Sequence, residues 1–228
     1  MLERVGAFFD VDGTLLRGNI VRYYAFLRRR EMGMIWRQIW LAGLLLRVPY
    51  YLIVDRISRE LLTTRFYKNY RTFTPLRLRD GASALFHEEL KPNLYPRAIE
   101  CIKAHRAKGH VVVLVSGSIR QIATPVAEHV GADGILCTEL EEKQGVFTGA
   151  LKAGSLTGPR KAEALSNYAR LHQISLDVSH AYADSLDDVP MLDCVGHPVV
   201  INPDVRLRKL ASDRGWSAQY WCPDGPKT

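Results

Sequence analysis

The chain has 228 residues, enough for one sizeable domain or for a domain carrying a smaller insert. Apolar residues make up 47% and charged residues 24%, which excludes a disordered or fibrous chain. The net charge of +7 and an isoelectric point near 9.3 favour acidic partners: phosphorylated metabolites, nucleic acid or anionic lipid.

The four cysteines, Cys101, Cys137, Cys194 and Cys222, are widely spaced and form no Cys-x-x-Cys. They suggest neither a zinc site nor a disulfide framework, and free thiols fit a reducing, cytoplasmic compartment. A secretory leader is not expected, because Asp10 and Asp12 interrupt the stretch where an apolar core segment would lie.

In chain order, the apolar run Val5–Phe9 predicts a buried strand, and Asp10-Val11-Asp12-Gly13-Thr14 predicts the turn that leaves it. Asp10 and Asp12 then stand at the carboxyl end of a strand, where open α/β sheets place their chemistry. One carboxylate could attack while the other moves a proton. About seventy residues of helical pattern follow, ending at the Pro-rich 90–96 segment. Thirteen arginines fall between positions 17 and 79, and a solvated basic face accounts for them as well as a binding face does.

Within this block, Met34–Val54 is the one stretch that suggests a membrane. Arg37, Arg47 and Pro49 lie in it, and its uninterrupted apolar run, Ile39–Leu46, is far short of the roughly 20 residues a span needs. A mid-membrane Arg costs about 2.5–3.5 kcal/mol, so a buried or interfacial amphipathic helix is expected instead.

Beyond position 96 the pattern alternates. A helix is expected over Arg97–Lys108, a strand over His110–Val115, and a helix from after Ser116-Gly117-Ser118 to Val130. A strand over Gly134–Thr138 comes next, then a hairpin over Lys143–Leu151, a helix over Pro159–His172, strands over His180–Ala183 and Pro198–Ile201, and a helix over Asp204–Asp213. Such alternation predicts a mostly parallel sheet covered on both faces, with the early helical block inserted after the first strand.

Four groups fall at strand ends or helix starts. They are Asp10-x-Asp12-x-Thr14; Ser116-Gly117-Ser118, whose hydroxyl and backbone N–H groups would open a helix as an anion site; Lys161; and Asp184-Ser185-Leu186-Asp187-Asp188. Three acids in five residues at a strand end point to a hard cation such as Mg²⁺. Each group has an ordinary reading, as a turn, an N-cap, a surface lysine or an acidic cap. All four in this order point to one pocket.

These residues resemble the haloacid dehalogenase (HAD) superfamily of phosphohydrolases. Asp10, Asp12 and Thr14 match its first motif, Ser116 its second, Lys161 its third, and Asp184 and Asp188 its fourth. The insert between motifs one and two is similar to the helical cap of the phosphoserine-phosphatase-like branch, subfamily IB. So is the Gly196-His197-Pro198-x-x-x-Asn202-Pro203 run. The resemblance implies a doubly wound, mostly parallel Rossmann-like α/β core at 1–16 and 91–228, with a C1-type helical cap at 17–90.

It further implies a Mg²⁺-dependent phosphomonoester hydrolase working through an aspartyl phosphate. Asp10 would be the nucleophile and Asp12 the acid and base. The metal would be held by Asp10, Asp184, Asp188 and the backbone carbonyl of Asp12, and phosphoryl oxygens by Thr14, Ser116, Gly117 and Lys161. Two departures stand out. Phosphoserine phosphatases carry a Glu that reads the substrate's ammonium where this chain has Asn19, and Asp187 replaces the Asn of the fourth motif. Arg17, Asn19, Arg22, Tyr23 and Tyr24 follow motif one closely and are the residues expected to choose the substrate, ahead of Arg56 and Arg59. The partner expected is a small-molecule phosphate ester.

Three other readings remain at this point. One is a phosphatase of a lipid headgroup or lysophospholipid, peripheral to a membrane through the cap. Another is a non-catalytic binding module on the same fold. A nucleic-acid binder ranks lowest, since the basic residues carry no recognisable nucleic-acid motif.

Overall fold

The computed structural model describes residues 3–30, 59–71 and 73–222, together with Met32, Gly33, Gln38, Gly43 and Leu46. Apart from those isolated positions, the 34–54 stretch lies outside the described residues, as does Arg56. Among the described residues, no helix is long and apolar enough to cross a membrane.

A six-stranded sheet forms the centre. Its order is β3 (Gly134–Thr138), β2 (Val111–Ile119), β1 (Arg4–Phe9), β6 (Ile174–Ala183), β7 (His197–Ile201) and β8 (Ser217–Gln219), with every neighbouring pair parallel. The order reverses at β1: chain segments up to residue 138 build one side of it and segments after 174 build the other. A crevice opens at the carboxyl ends of strands at such a switch point. The α/β, mostly parallel Rossmann-like core expected from the alternation is the fold observed.

Helices cover both faces because the strands are apolar on both faces. On one face Ala7, Phe9, Val112, Leu114 and Tyr182 pack under α4 (Pro96–Ala107) and α5 (Arg120–Val130). On the other, Phe8, Val113, Val115, Ala181 and Val200 pack against α6 (Pro159–Leu171), the short α7 (Val189–Leu192) and α8 (Val205–Asp213). Local chemistry sets the helix ends. Pro96 and Pro159 open α4 and α6, Gly131 closes α5 in the left-handed region, and Asp204 caps α8 by accepting from the Leu207 N–H at 2.8 Å.

Between β1 and α4 lie α1 (Ile20–Arg29), α2 (Arg59–Tyr67) and α3 (Pro75–Leu85). Tyr24, Phe66, Tyr70, Leu78 and Leu85 of this block belong to the same apolar cluster as Ile122 and Val126 of α5. The helical block is thus packed onto the sheet layer. A two-stranded antiparallel unit, β4 (Leu140–Lys143) with β5 (Val146–Leu151), forms the expected hairpin.

Three expectations need correcting. β2 does not end at Val115 but runs on to Ile119, so Ser116 lies within a strand and does not open a helix; α5 begins at Arg120. β6 begins at Ile174, six residues before the expected start, because polar Ser175, Asp177 and Ser179 mask the apolar pattern and its register with β1 shifts between Val5 and Ala7. β8 was not expected, since all three of its residues are exposed and it has no apolar run to betray it.

Candidate active site

The first loop is built by β1. Past its end, the Asp10 N–H donates to the Tyr182 carbonyl on β6 at 2.9 Å, which fixes the Asp10 side chain at the mouth of the sheet. Gly13 follows in the left-handed region, with φ of 97°, and a Cβ there would collide with the Asp184 carboxylate. Asn202, just past β7, holds this loop from below. Its amide donates to the Gly13 carbonyl at 3.2 Å, and its own carbonyl accepts from the Trp221 and Cys222 N–H groups at 2.7 and 3.0 Å.

Asp10, Asp184 and Asp188 come from two strand ends, and their carboxylate oxygens lie within 4.8 Å of one another. Lys161 reaches in from the first turn of α6. Its ammonium lies 2.5 Å from Asp10 and 2.7 Å from Asp188, with all three side chains only 5–6% exposed. The Thr14 hydroxyl lies 3.1 Å from Asp10 and 3.4 Å from Asp184, and Ser185 donates to Asp188 at 3.0 Å. Three carboxylates, two of them buried and Asp184 half-buried, are thus gathered around one ammonium. A hard divalent cation with oxygen ligands fits that donor set.

Electrostatics agree. Burial pushes the Asp10 carboxyl up to about 7; Lys161 pulls it down, while Asp188, Asp184 and Asp12 add to the rise. Burial works against the charge on Lys161, but Asp10 and Asp188 outweigh it and hold the ammonium above its ordinary range.

Asp12 is arranged differently. Its carboxylate is absent from the three-acid cluster and accepts from the Ser118 hydroxyl at 2.8 Å and from the Tyr23 hydroxyl on α1. Burial, then Asp12, holds the Tyr23 phenol well above its usual range, so it stays a donor. Gly18 makes room for it, since a Cβ there would strike the Tyr23 hydroxyl. One carboxylate thus lies against an ammonium and two further acids, while its neighbour is held by two neutral hydroxyls.

The cavity in front of these groups has a volume of about 610 Å³. Asp10, Asp12, Lys161, Asp184, Asp187 and Asp188 line its floor, together with Gly117. Ile20, Val21 and Ala25 of α1 and Leu62 and Thr63 of α2 form an apolar wall, with Asn19 and Arg22 beside them.

Other residues expected at the site are placed as follows. Ser116 is fully buried beneath the floor, and its hydroxyl accepts from the Ser118 N–H at 3.0 Å. Asn19 reaches the cavity but uses its side-chain oxygen to cap α1, accepting from the Arg22 N–H at 2.9 Å. Arg22 is tied to Glu89 at 2.7 Å. Arg17 is exposed, its backbone N–H donating to the Asn93 carbonyl at 3.3 Å. Tyr24 does not face the site: it is buried against Phe66 and Tyr70, because the two neighbouring tyrosines point to different sides of the helix. The side chain of Arg59 lies outside the described residues.

Ser118 was not singled out. The signal was available: two positions after Ser116 in an extended run, it shares a face with it. Tyr67 of α2, whose hydroxyl donates to the Gly117 carbonyl at 2.8 Å, carries no local signal at all.

Residues 7–193 match the family model described as haloacid dehalogenase-like hydrolase. The chain belongs to this HAD family. Among relatives, it is 31% identical over 222 residues to the "Inhibition of morphological differentiation protein" of Streptomyces azureus, covering 94% of this chain and 78% of that one. It is also 31% identical over 215 residues to phosphoserine phosphatase SerB1 of Mycobacterium tuberculosis, covering 92% of this chain and 68% of that one. A crystal structure of a protein with unknown function from Bordetella pertussis Tohama I shares the fold. Its TM-score is 0.83 at 23% identity, with 95% of this chain and 98% of that one covered. This HAD chain is a phosphoserine-phosphatase-like hydrolase and an enzyme of the phosphatase type.

Proposed function

We propose that this phosphatase hydrolyses a small organic phosphate monoester with Mg²⁺, through an aspartyl-phosphate intermediate. One observation carries the reading. Asp10 is clustered with Asp184, Asp188 and Lys161, while Asp12 is held apart from them by Ser118 and Tyr23. Two carboxylates one residue apart have been given opposite environments, as a nucleophile and a proton carrier require.

Asp10, Asp184 and Asp188 would hold Mg²⁺, which supplies the positive charge that lets a carboxylate approach a phosphate dianion. The Asp10 carboxylate attacks phosphorus, and the phosphorus–oxygen bond to the alcohol breaks. Asp12 gives its proton to the departing oxygen. A water then attacks the acyl phosphate, Asp12 takes a proton from it, and Asp10 and inorganic phosphate are released. Lys161 and the backbone N–H of Gly117 stand ready to steady phosphoryl oxygens. The helices described within 17–90 act as the cap over this floor.

Asn19 bears on the substrate. It caps α1 with its oxygen, and a neutral amide is a poor partner for an ammonium. The apolar wall of Ile20, Val21, Ala25 and Leu62 suits an apolar leaving alcohol better than a zwitterionic one. Phosphoserine is therefore placed below apolar esters in the expected order. The same wall supports a second reading, a lysophospholipid or lipid-headgroup phosphatase. Phosphate release from an ester panel that includes phosphoserine and a lysophosphatidate tests both, run with Mg²⁺, with EDTA and with Asp10→Asn. Release that survives both EDTA and Asp10→Asn defeats the mechanism.

A further inference from the structure

Away from the acidic cluster, a group of imidazoles has gathered that the phosphatase reaction does not use. His105 lies near the end of α4, His110 immediately before β2, and His180 on β6, facing α4. One ring nitrogen from each can be chosen so that the three lie within 4.8 Å of one another. The Nδ1 atoms of His105 and His110 are already 2.9 Å apart. The His105 ring meets His180 edge-on, with centroids 4.8 Å apart, and His197 stacks on the outer side of His180 at 4.7 Å. Between these groups runs β1, whose residue at this level is Ala7, paired with Val112 on one side and His180 on the other.

We propose that His105, His110 and His180 form a second metal site, for a borderline divalent cation of the zinc type bound by three imidazole nitrogens. Zinc–nitrogen bonds of about 2.0–2.1 Å in a tetrahedron put donor atoms roughly 3.3 Å apart, so modest ring rotations close the cluster on an ion. Imidazole nitrogen selects zinc, copper or nickel over magnesium, which separates this site chemically from the all-oxygen cluster of Asp10, Asp184 and Asp188.

The surroundings support a ligand role. The other nitrogen of His105, Nε2, lies 2.8 Å from the Tyr182 hydroxyl. With Nε2–H donating to that oxygen, His105 Nδ1 bears a lone pair that accepts from the His110 Nδ1–H at 2.9 Å, and an oxygen partner on the far ring nitrogen is the usual support for a metal-binding imidazole. Phe9 packs edge-on against the same ring at 5.9 Å, so the ring is held in place before any ion arrives. His105 is buried, while His110 and His180 are half-buried. An ion could enter from that side and keep water as its fourth ligand.

The site stands independently of the proposed phosphatase mechanism, and its test is chosen accordingly. The untagged full chain carrying Asp184→Asn is freed of metal with a chelator and titrated with Zn²⁺ by calorimetry and with Co²⁺ by visible absorption. One equivalent of Zn²⁺ is expected, with Co²⁺ ligand-field bands of a nitrogen site. His110→Gln and His180→Gln in that background should each weaken Zn²⁺ roughly tenfold or more. Circular dichroism confirms that these two half-buried positions tolerate the change. Absence of Zn²⁺ binding, affinity unmoved by both glutamines, or a thiolate charge-transfer band placing Co²⁺ on a cysteine would each overturn the proposal.

Discussion

Replacing Lys161 with Met takes a positive charge from between two buried carboxylates, Asp10 at 2.5 Å and Asp188 at 2.7 Å. Removing one partner of a buried ion pair costs about 3–5 kcal/mol, because the group left behind stays desolvated and charged. In a chain of this size each kcal/mol moves the midpoint by about 2–4 °C, so a fall of about 6–20 °C is expected. The loss should depend on pH. Asp10, already pushed up to about 7, rises further without Lys161 and accepts a proton in mild acid. The full deficit therefore appears near pH 8, and a smaller one near pH 5. Mg²⁺ should close part of the gap, since a cation in the cluster replaces the missing charge. Thermal and urea unfolding of wild type and Lys161→Met in EDTA, with and without excess Mg²⁺ over the chelator, give all the numbers. A deficit under about 1 kcal/mol at pH 8 in EDTA, or one indifferent to both pH and Mg²⁺, would refute the assignment of Lys161 as the charge that holds the cluster together.

Three further outcomes follow from the same geometry. Tyr23→Phe and Ser118→Ala each remove one of the two hydroxyls that orient Asp12, and each should lower kcat by about tenfold to a hundredfold. The double variant should fall short of the product of the two losses, and a simple product would mean that they do not act on one carboxylate. Gly13→Ala forces a side chain into the left-handed region and against Asp184, so steady-state kinetics should show a weakened response to Mg²⁺ along with about 1–3 kcal/mol of lost stability. The pH slope of stability has a definite sign. A carboxyl raised from 3.8 to about 7 binds more protons folded than unfolded between those values, so in EDTA wild type should lose stability relative to Asp10→Asn as pH rises from about 4 to about 8. An equal slope in the two proteins would remove Asp10 as the cause.

Continuous apolar runs are enough to place β1, β2, β3 and β7 in this chain, because a strand buried on both faces needs them and nothing else in the sequence does. The acid-bearing motifs were legible for a related reason: Asp10 and Asp184 directly follow apolar strands, so parallel pairing of those strands sends both to the same edge. Weak local patterns hid other elements. β8 is three exposed residues, and the first half of β6 alternates with polar side chains.

The contrast between the surroundings of Asp10 and Asp12 was a different matter. Sequence put the two carboxylates one residue apart, and only packing gave one of them Lys161 and the other Ser118, which is 106 positions away from Asp12. The turn of α1 that brings Tyr23 to Asp12 while sending Tyr24 into the core depends on α2 and α3 packing beside it. The histidines show this most clearly. His105, His110 and His180 look unrelated along the chain and meet only because α4 crosses the sheet above the small Ala7. Local periodicity decides which element a residue enters. Register and helix crossing, set by the burial of apolar surface over the whole domain, decide which side chains meet.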